Sequence, residues 1–318
     1  MRFYDQHSAV AQLYREVTDG LRSEPKSIPP KFFYDERGCF LFGEISRLPE
    51  YYVTRVEMGI LRDCADELAQ RIAPRHVIVE LGSGDSDKVR MLLRTLQPLA
   101  YVPIDIAQAP LLACAERLRV DFPRMEVHAI CADYMKSVIV PSSVPEAPRL
   151  VFFPGSTLGN FEPAAAEAFL RRLRNLVRED GALLIGIDLK KDRRVLHAAY
   201  NDAQGVTAAF NLNLLVRVQN ELDAELAVDD FRHEAFYNEE EGRVEMHLVS
   251  CREQDIVING DRFLLEEGEG ICTEYSYKYT VDEFHALAQR AGFYCEKLWT
   301  DGRALFSVHL LKVLPFSN

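Results

Sequence analysis

Two glycines and two acidic residues, spaced along a series of apolar runs, offer the most chemistry in this chain. His76-Val77-Ile78-Val79-Glu80-Leu81 is a short apolar run, and Gly82-Ser83-Gly84-Asp85-Ser86 follows it before a helical pattern begins. Glycines let a backbone approach a ligand closely, and a helix start offers unpaired N–H groups. Asp105 closes the next apolar run, where a carboxylate can accept from both hydroxyls of a ribose. Cys131-Ala132-Asp133 follows a third run, where a side chain can meet an adenine amino group. This set suits a nucleoside-bearing ligand. A dinucleotide site needs glycine at position 87, where Asp87 stands, and Asp85 and Asp87 would repel a pyrophosphate. S-adenosylmethionine has no phosphate and carries a positive sulfonium, so the acidic loop favours it as the cofactor.

The elements that must hold these residues alternate. Val89, Leu92, Leu93 and Leu96 share one helical face after the glycine loop, and Tyr101–Asp105 reads as the next strand. Leu111, Cys114, Ala115 and Leu118 mark a helix, Glu126–Cys131 and Leu150–Phe153 two strands, and 164–177 a helix. Asp180-Gly181 turns into the apolar run from Ala182 to Ile187. Strands and helices in alternation, with apolar strands, predict a parallel sheet covered on both faces. After Asp188 come helices near 192–202 and 206–222, then strand pairs at 231–237 with 244–249 and 255–258 with 261–265. This antiparallel material is expected to form a second, smaller α+β lobe. The chain returns to α/β character with a helix over 281–291 and strands at 293–299 and 304–313. That order resembles a Rossmann-like class I methyltransferase sheet with a terminal strand hairpin. The expected domains are 54–189 with 278–318 for the cofactor, and 1–53 with 190–277 for the substrate.

Bulk properties narrow the function further. At 318 residues the chain exceeds one ordinary core, which fits two lobes. A net charge of −12, with no basic run, argues against a nucleic-acid partner. Seven scattered cysteines form no C-x-x-C pair, and the histidines form no H-x-x-H group, so no metal is expected. No stretch has the length of a membrane span, and no apolar leader opens the sequence. The reading is a soluble, cytoplasmic, monomeric enzyme acting on a small molecule. The aromatic stretch from Lys31 to Thr54 is either a flap packed on the core or a ligand wall.

Several longer segments carry a specific resemblance. They are Pro25–Asp35, Arg47-Leu48-Pro49-Glu50-Tyr51-Tyr52, Glu80–Gly84, Gly155-Ser156-Thr157-Leu158-Gly159-Asn160, Tyr200-Asn201-Asp202, Gly205–Asn211 and Thr273-Glu274-Tyr275-Ser276. On these the chain resembles the ergothioneine-pathway L-histidine Nα-methyltransferases across nearly its whole length. The resemblance implies S-adenosylmethionine-dependent methylation of the α-amine of L-histidine, up to trimethylhistidine (hercynine), with S-adenosylhomocysteine released. An alternative acceptor is another α-amino acid or a histidine-derived thio compound. By the same resemblance Asn160 and Tyr200 hold the substrate carboxylate and Glu274 and Ser276 read the imidazole. Met246 lies beside the ring and Tyr34 near the amine. The implied catalytic set is Tyr34, Asn160, Tyr200, Glu274 and Ser276. Substrate binding adds Phe42, Tyr51, Thr207 and Met246. Cofactor binding takes Glu80, Gly82, Ser83, Gly84, Lys88, Asp105, Asp133, Tyr134 and Gly155. Duller roles exist for some of these, such as a helix cap for Asn160 or a core filler for Met246.

Overall fold

Short runs of Val, Ile, Leu and Phe form an eight-stranded sheet in the first of two units, which comprises Met1–His7, Val53–Lys190 and Lys278–Asn318. The computed structural model describes residues 1–6, 9–84, 87–136 and 138–315. The strands are β1 (Arg2–Asp5), β2 (Val77–Leu81), β3 (Ala100–Asp105), β4 (Glu126–Cys131), β5 (Arg149–Phe153), β6 (Ala182–Asp188), β12 (Phe293–Thr300) and β13 (Phe306–Val313). Their spatial order is β1-β4-β3-β2-β5-β6-β13-β12. The first six run parallel, while β13 is antiparallel to both β6 and β12. Every residue of β2 and β6 is buried, as strands covered on both faces must be.

Helices α3 (Tyr52–Arg71), α4 (Asp87–Leu96), α5 (Gln108–Asp121), α6 (Pro163–Val177) and α9 (Val281–Arg290) belong largely to the same unit. Each buries the stripe its periodicity predicts. Val89, Leu92 and Leu93 of α4 are fully enclosed, as are Leu111, Cys114, Ala115 and Leu118 of α5. Pro163 starts α6, where a missing N–H costs nothing. A capping box between Thr280 and Glu283 starts α9.

Two boundaries differ from the sequence reading. Arg2–Asp5, expected in the second lobe, pairs in parallel with β4, from Arg2 opposite His128 to Asp5 opposite Cys131. It covers the edge that β4 would otherwise expose. The last strand, expected from position 304, begins at Phe306. The Asp301 carboxylate accepts from the N–H groups of Arg303, Leu305 and Phe306, which holds those residues in the turn.

The second unit comprises Ser8–Tyr52 and Lys191–Tyr277. It contains α1 (Ala9–Arg22), α2 (Glu36–Ile45), α7 (Arg193–Tyr200) and α8 (Val206–Leu222). Its strands are β7 (Phe231–Asn238), β8 (Arg243–Ser250), β9 (Gln254–Ile258), β10 (Asp261–Leu265) and β11 (Gly270–Tyr277). The antiparallel sheet runs β11-β8-β7, and β9 and β10 form a separate hairpin turning on Asn259-Gly260. Two elements escape the sequence pattern. Helix α2 hides in the aromatic stretch 31–54, where Asp35 caps it by accepting from Gly38 N and also from Asn213 Nδ2. Strand β11 has no turn signal between itself and the residues that follow.

A buried ion pair closes the carboxyl end of β6. Lys278 Nζ lies 2.9 Å from Asp188 Oδ2, with both side chains at most 1% exposed. Removing one member leaves a buried charge without its counter-ion, which costs about 3–5 kcal/mol. Asp188→Ala should therefore lower the unfolding free energy measured by urea titration by that amount. Asp188→Leu combined with Lys278→Met should recover most of the loss, and a double variant as weak as the single one would contradict this.

Candidate functional site

Strand order reverses beside β2: the chain passes from β2 to β3 and β4 on one side, then returns to β5 and β6 on the other. At such a reversal the two following loops diverge and leave a crevice at the carboxyl ends of the strands, where α/β sheets bind ligands. The loops after β2, β4 and β5 hold every residue expected to bind the cofactor except Glu80, within β2, Asp105, which ends β3, and Lys88, on α4.

Gly82 has φ 70°, a left-handed conformation that suits glycine, and its N–H donates to the Ile104 carbonyl. A Cβ on Gly82 would stand 3.7 Å from the Tyr134 ring, so a bare backbone lies beside an aromatic edge. Tyr134 is fixed edge-on against Phe153, with centroids 5.9 Å apart. The Ser83 hydroxyl is buried and has no hydrogen-bond partner among the described residues. Asp85 and Ser86, the acidic part of the loop, lie outside the described residues.

Asp105 accepts from Gly84 N at 3.2 Å and from Ala107 N at 2.9 Å, one bond to each carboxylate oxygen. Each oxygen keeps a lone pair for a further donor. Burial pushes this carboxyl above its ordinary 3.8, although the N–H groups of Ala107 and Gly84 pull the other way. Asp133 is buried in a tight turn and accepts from Met135 N. Glu80 is also buried, and one of its oxygens receives the Tyr101 hydroxyl inside the sheet. An unpartnered hydroxyl, a glycine backbone beside an aromatic ring and a carboxylate with open lone pairs fit a nucleoside-bearing cofactor.

The loop after β5 is held by a residue that the sequence reading passed over. Glu57, on α3 and fully buried, accepts the Gly155 N–H with both oxygens at 3.0 Å and pairs with Lys88 Nζ at 2.6 Å. A Cβ at Gly186 would lie 2.0 Å from Glu57 Oε1, so only glycine leaves room there. No local motif marks Glu57, because its partners come from α4, β6 and the β5 loop. Ser156 follows with φ 57°, a conformation costly outside glycine, and its hydroxyl accepts from Asp188 N at 2.9 Å. Asn160 ends the short turn Thr157–Asn160 and is half-buried. It is not the cap of α6, whose N-cap is Glu162.

In the second unit the expected acceptor residues gather on one face of β11 and β8. Glu274 and Ser276, two apart on a strand, point the same way, and Met246 stands opposite Glu274 in register. The Tyr200 hydroxyl donates to Ser276 Oγ at 2.8 Å. Behind them lies a polar scaffold that sequence reasoning missed. Asn211 Nδ2 bonds His233 Nδ1 at 2.9 Å, which requires the ring proton on Nε2, where it donates to the Tyr200 carbonyl at 2.9 Å. Burial lowers the His233 pKa, consistent with that neutral ring. Thr273 Oγ1 donates to Asn211 Oδ1 at 2.7 Å, tying β11 to α8. Thr207 is buried in the first turn of α8, its N–H given to Asp202 Oδ1. Tyr34, Phe42, Tyr51 and Phe210 form an aromatic cluster with centroids 5.8 to 6.3 Å apart.

Comparison with known proteins identifies the family. The family described as "Histidine-specific methyltransferase, SAM-dependent" matches residues 13–313. The chain is 38% identical to a histidine N-alpha-methyltransferase of Mycolicibacterium smegmatis over 310 residues, 95% of each chain. It is equally 38% identical to that of Mycobacterium tuberculosis, over 94% of each. Among solved structures, an S-adenosylmethionine-dependent methyltransferase from Clostridium acetobutylicum aligns with TM-score 0.51 and 11% identity, covering 86% of this chain and 98% of that one. The last likeness concerns the fold alone.

Asp105 gives a pH prediction. Its pKa is raised on folding, so the folded state holds the proton more tightly, and rising pH through 3.8 toward the raised value favours unfolding. A ligand donating hydroxyl hydrogens to Asp105 needs the ionised form, so affinity should rise with pH over that same window. Calorimetry with S-adenosylmethionine should show this in the wild type and lose it in Asp105→Asn. Equal pH profiles for the two proteins would remove Asp105 from the cofactor site.

Proposed function

The chain belongs to the histidine-specific, S-adenosylmethionine-dependent methyltransferases, and on that premise we propose that its acceptor is the α-amino group of free L-histidine. The observation that carries this reading is the cluster in the second unit, where Glu274, Ser276 and Met246 share one sheet face and the Tyr200 hydroxyl, from the end of α7, meets Ser276. Histidine needs one group for its carboxylate and a pair of polar groups for its imidazole, and little else. Glu274 suits an imidazole N–H as acceptor, and Ser276 can donate to or accept from the other nitrogen. Met246, buried and polarizable, suits the flat face of the ring. Tyr200 and Asn160 are the proposed carboxylate anchors.

Bound S-adenosylmethionine supplies a methyl on a positively charged sulfur. The α-amine attacks only when neutral, and a nearby positive charge holds its pKa down. The nitrogen lone pair forms the new N–C bond as the C–S bond breaks with its electrons going to sulfur. The amine proton leaves to water. What the chain contributes is mainly position, because reacting atoms must be held about 3–3.5 Å apart. Asp202, Asn211 and His233 serve that end by fixing Thr207, Thr273 and the Tyr200 backbone. The aromatic faces of Tyr34 and Phe42 favour a methylated ammonium by about 0.5–2 kcal/mol, which supports repeated transfer up to trimethylhistidine. The cytoplasm, where free histidine and the methyl donor are both present, is the proposed location. A monomer acting on no nucleic acid or membrane completes the reading. Among the described residues no helix is long and apolar enough to cross a membrane.

Mass spectrometry after incubation with S-adenosylmethionine and a panel of free amino acids tests this. Histidine should gain one, two and three methyl groups while the others stay unchanged. Transfer to a different amino acid, with histidine inert, would overturn the acceptor and leave the chemistry. Glu274→Ala should raise KM for histidine at least about tenfold, the loss of a charge-assisted hydrogen bond, and leave that for S-adenosylmethionine near the wild-type value. Wild-type histidine kinetics in this variant would exclude Glu274 from the site.

A further inference from the structure

Three side chains with soft or borderline donor atoms converge at the other end of the sequence, none of them in the cofactor or acceptor sets. His285 comes from α9, Cys295 from β12 and His309 from β13, all within the first unit. His285 Nε2 lies 3.1 Å from His309 Nδ1, Cys295 Sγ lies 3.9 Å from the same atom, and all three donors fall within 4.8 Å of one another. The two imidazoles meet at an interplanar angle of 85°, so one presents its edge to the other.

His309 is prepared for ligation from behind. It is fully buried, and its Nε2 lies 2.8 Å from Ser307 Oγ, which reaches the Ile187 carbonyl at 3.3 Å. The serine hydrogen goes to that carbonyl, so Ser307 accepts and the His309 proton sits on Nε2. The Nδ1 lone pair therefore faces His285 and Cys295. Metal-bound histidines are typically oriented by this kind of outer hydrogen bond on the second ring nitrogen. Burial and the neighbouring His285 hold the His309 ring neutral, its pKa lowered to about 3, and a neutral imidazole is the ligating form. Phe284 packs on the His309 ring at 4.6 Å and shields that side from water. The ladder between β12 and β13 is bulged between Cys295 and Lys297, a device that re-aims side chains. A proton alone could bridge the two histidines. The Cys295 sulfur, which also reaches the Lys297 carbonyl at 3.2 Å, stands on the third side.

We propose that His285, Cys295 and His309 form a binding site for one zinc ion, with water as fourth ligand. Zinc–nitrogen bonds of about 2.0–2.1 Å and zinc–sulfur bonds of about 2.3 Å place tetrahedral ligand atoms about 3.3–3.6 Å apart. The 3.1 and 3.9 Å pairs lie close to these values, and the His285–Cys295 pair, which lies within 4.8 Å, closes onto them by side-chain rotation of up to about 1.3 Å. Hard cations such as magnesium prefer oxygen donors and find none in this set. His285 and Cys295 are only partly buried, which gives the ion and the water a route in. Binding replaces the Cys295 S–H bond by a zinc–thiolate bond and releases one proton to solvent.

The test uses full-length, tag-free protein stripped with chelator, and needs no turnover. Isothermal titration with zinc chloride should give one tight equivalent, at least a hundredfold weaker in Cys295→Ser and in His285→Ala. Cys251→Ser, which alters an exposed cysteine elsewhere, should bind like wild type. Cobalt should produce a thiolate charge-transfer band in the wild type that Cys295→Ser lacks. Both variants change partly exposed side chains, and circular dichroism melts check that they fold. Absence of a tight equivalent in the wild type overturns the proposal. So does zinc binding that survives both variants or that disappears with Cys251→Ser.

Discussion

One buried carboxylate ties the first unit together at the carboxyl ends of its parallel strands. Glu57 reaches in from α3, takes the Gly155 N–H, and pairs with the Lys88 ammonium on α4. A carboxylate without exposure is tolerable only because those donors occupy its oxygens. Its demands then spread outward. The strand beside it must carry glycine at position 186, and the loop after β5 must turn through left-handed backbone at Gly155 and Ser156 to offer its N–H. Ser156 in turn spends its hydroxyl on Asp188 N, whose side chain is committed to Lys278. Lys88, the loop after β5 and the end of β6 are therefore one connected set of polar contacts.

The second unit solves a different problem with the same means. Polar side chains gather on one sheet face there, and each is aimed by something rigid. Asn211, fully buried in α8, does this from the centre: it meets His233 on β7, the His247 carbonyl on β8 and Thr273 on β11. Three strands and one helix are thereby locked in register behind Tyr200, Glu274 and Ser276. Networks of this kind are strong only when complete, since a buried amide left half-bonded is a cost.

Much of this was readable in the sequence, and the reason is periodicity. Strands buried on both faces, such as Val77–Leu81, and helices with a single apolar stripe, such as that bearing Leu111 and Leu118, declare themselves. So did the glycine loop and Asp105, because a turn and a strand end have local signatures. Function was legible mainly through segments whose wording matches a known family, not through chemistry deduced from spacing. What stayed hidden depends on partners distant in sequence. Arg2–Asp5 is a strand only because β4 has a bare edge, and α2 is masked by aromatic residues that serve a cluster with Phe210. Glu57 and the three residues His285, Cys295 and His309 have no motif, since each comes from a different element than its partners.

The order in which the chain visits its two units has a consequence for biosynthesis. The polypeptide passes between them four times, at residues 7–8, 52–53, 190–191 and 277–278. The second unit has all its residues only once Tyr277 is made, and the first only after the segment from Lys278. The parallel strands β2 to β6 leave the exit tunnel with the open edge of β6 uncovered, and its partner β13 is made last. At about 5–20 residues per second, that edge waits for several to tens of seconds. A largely apolar strand bare for that long is a natural client for a nascent-chain chaperone.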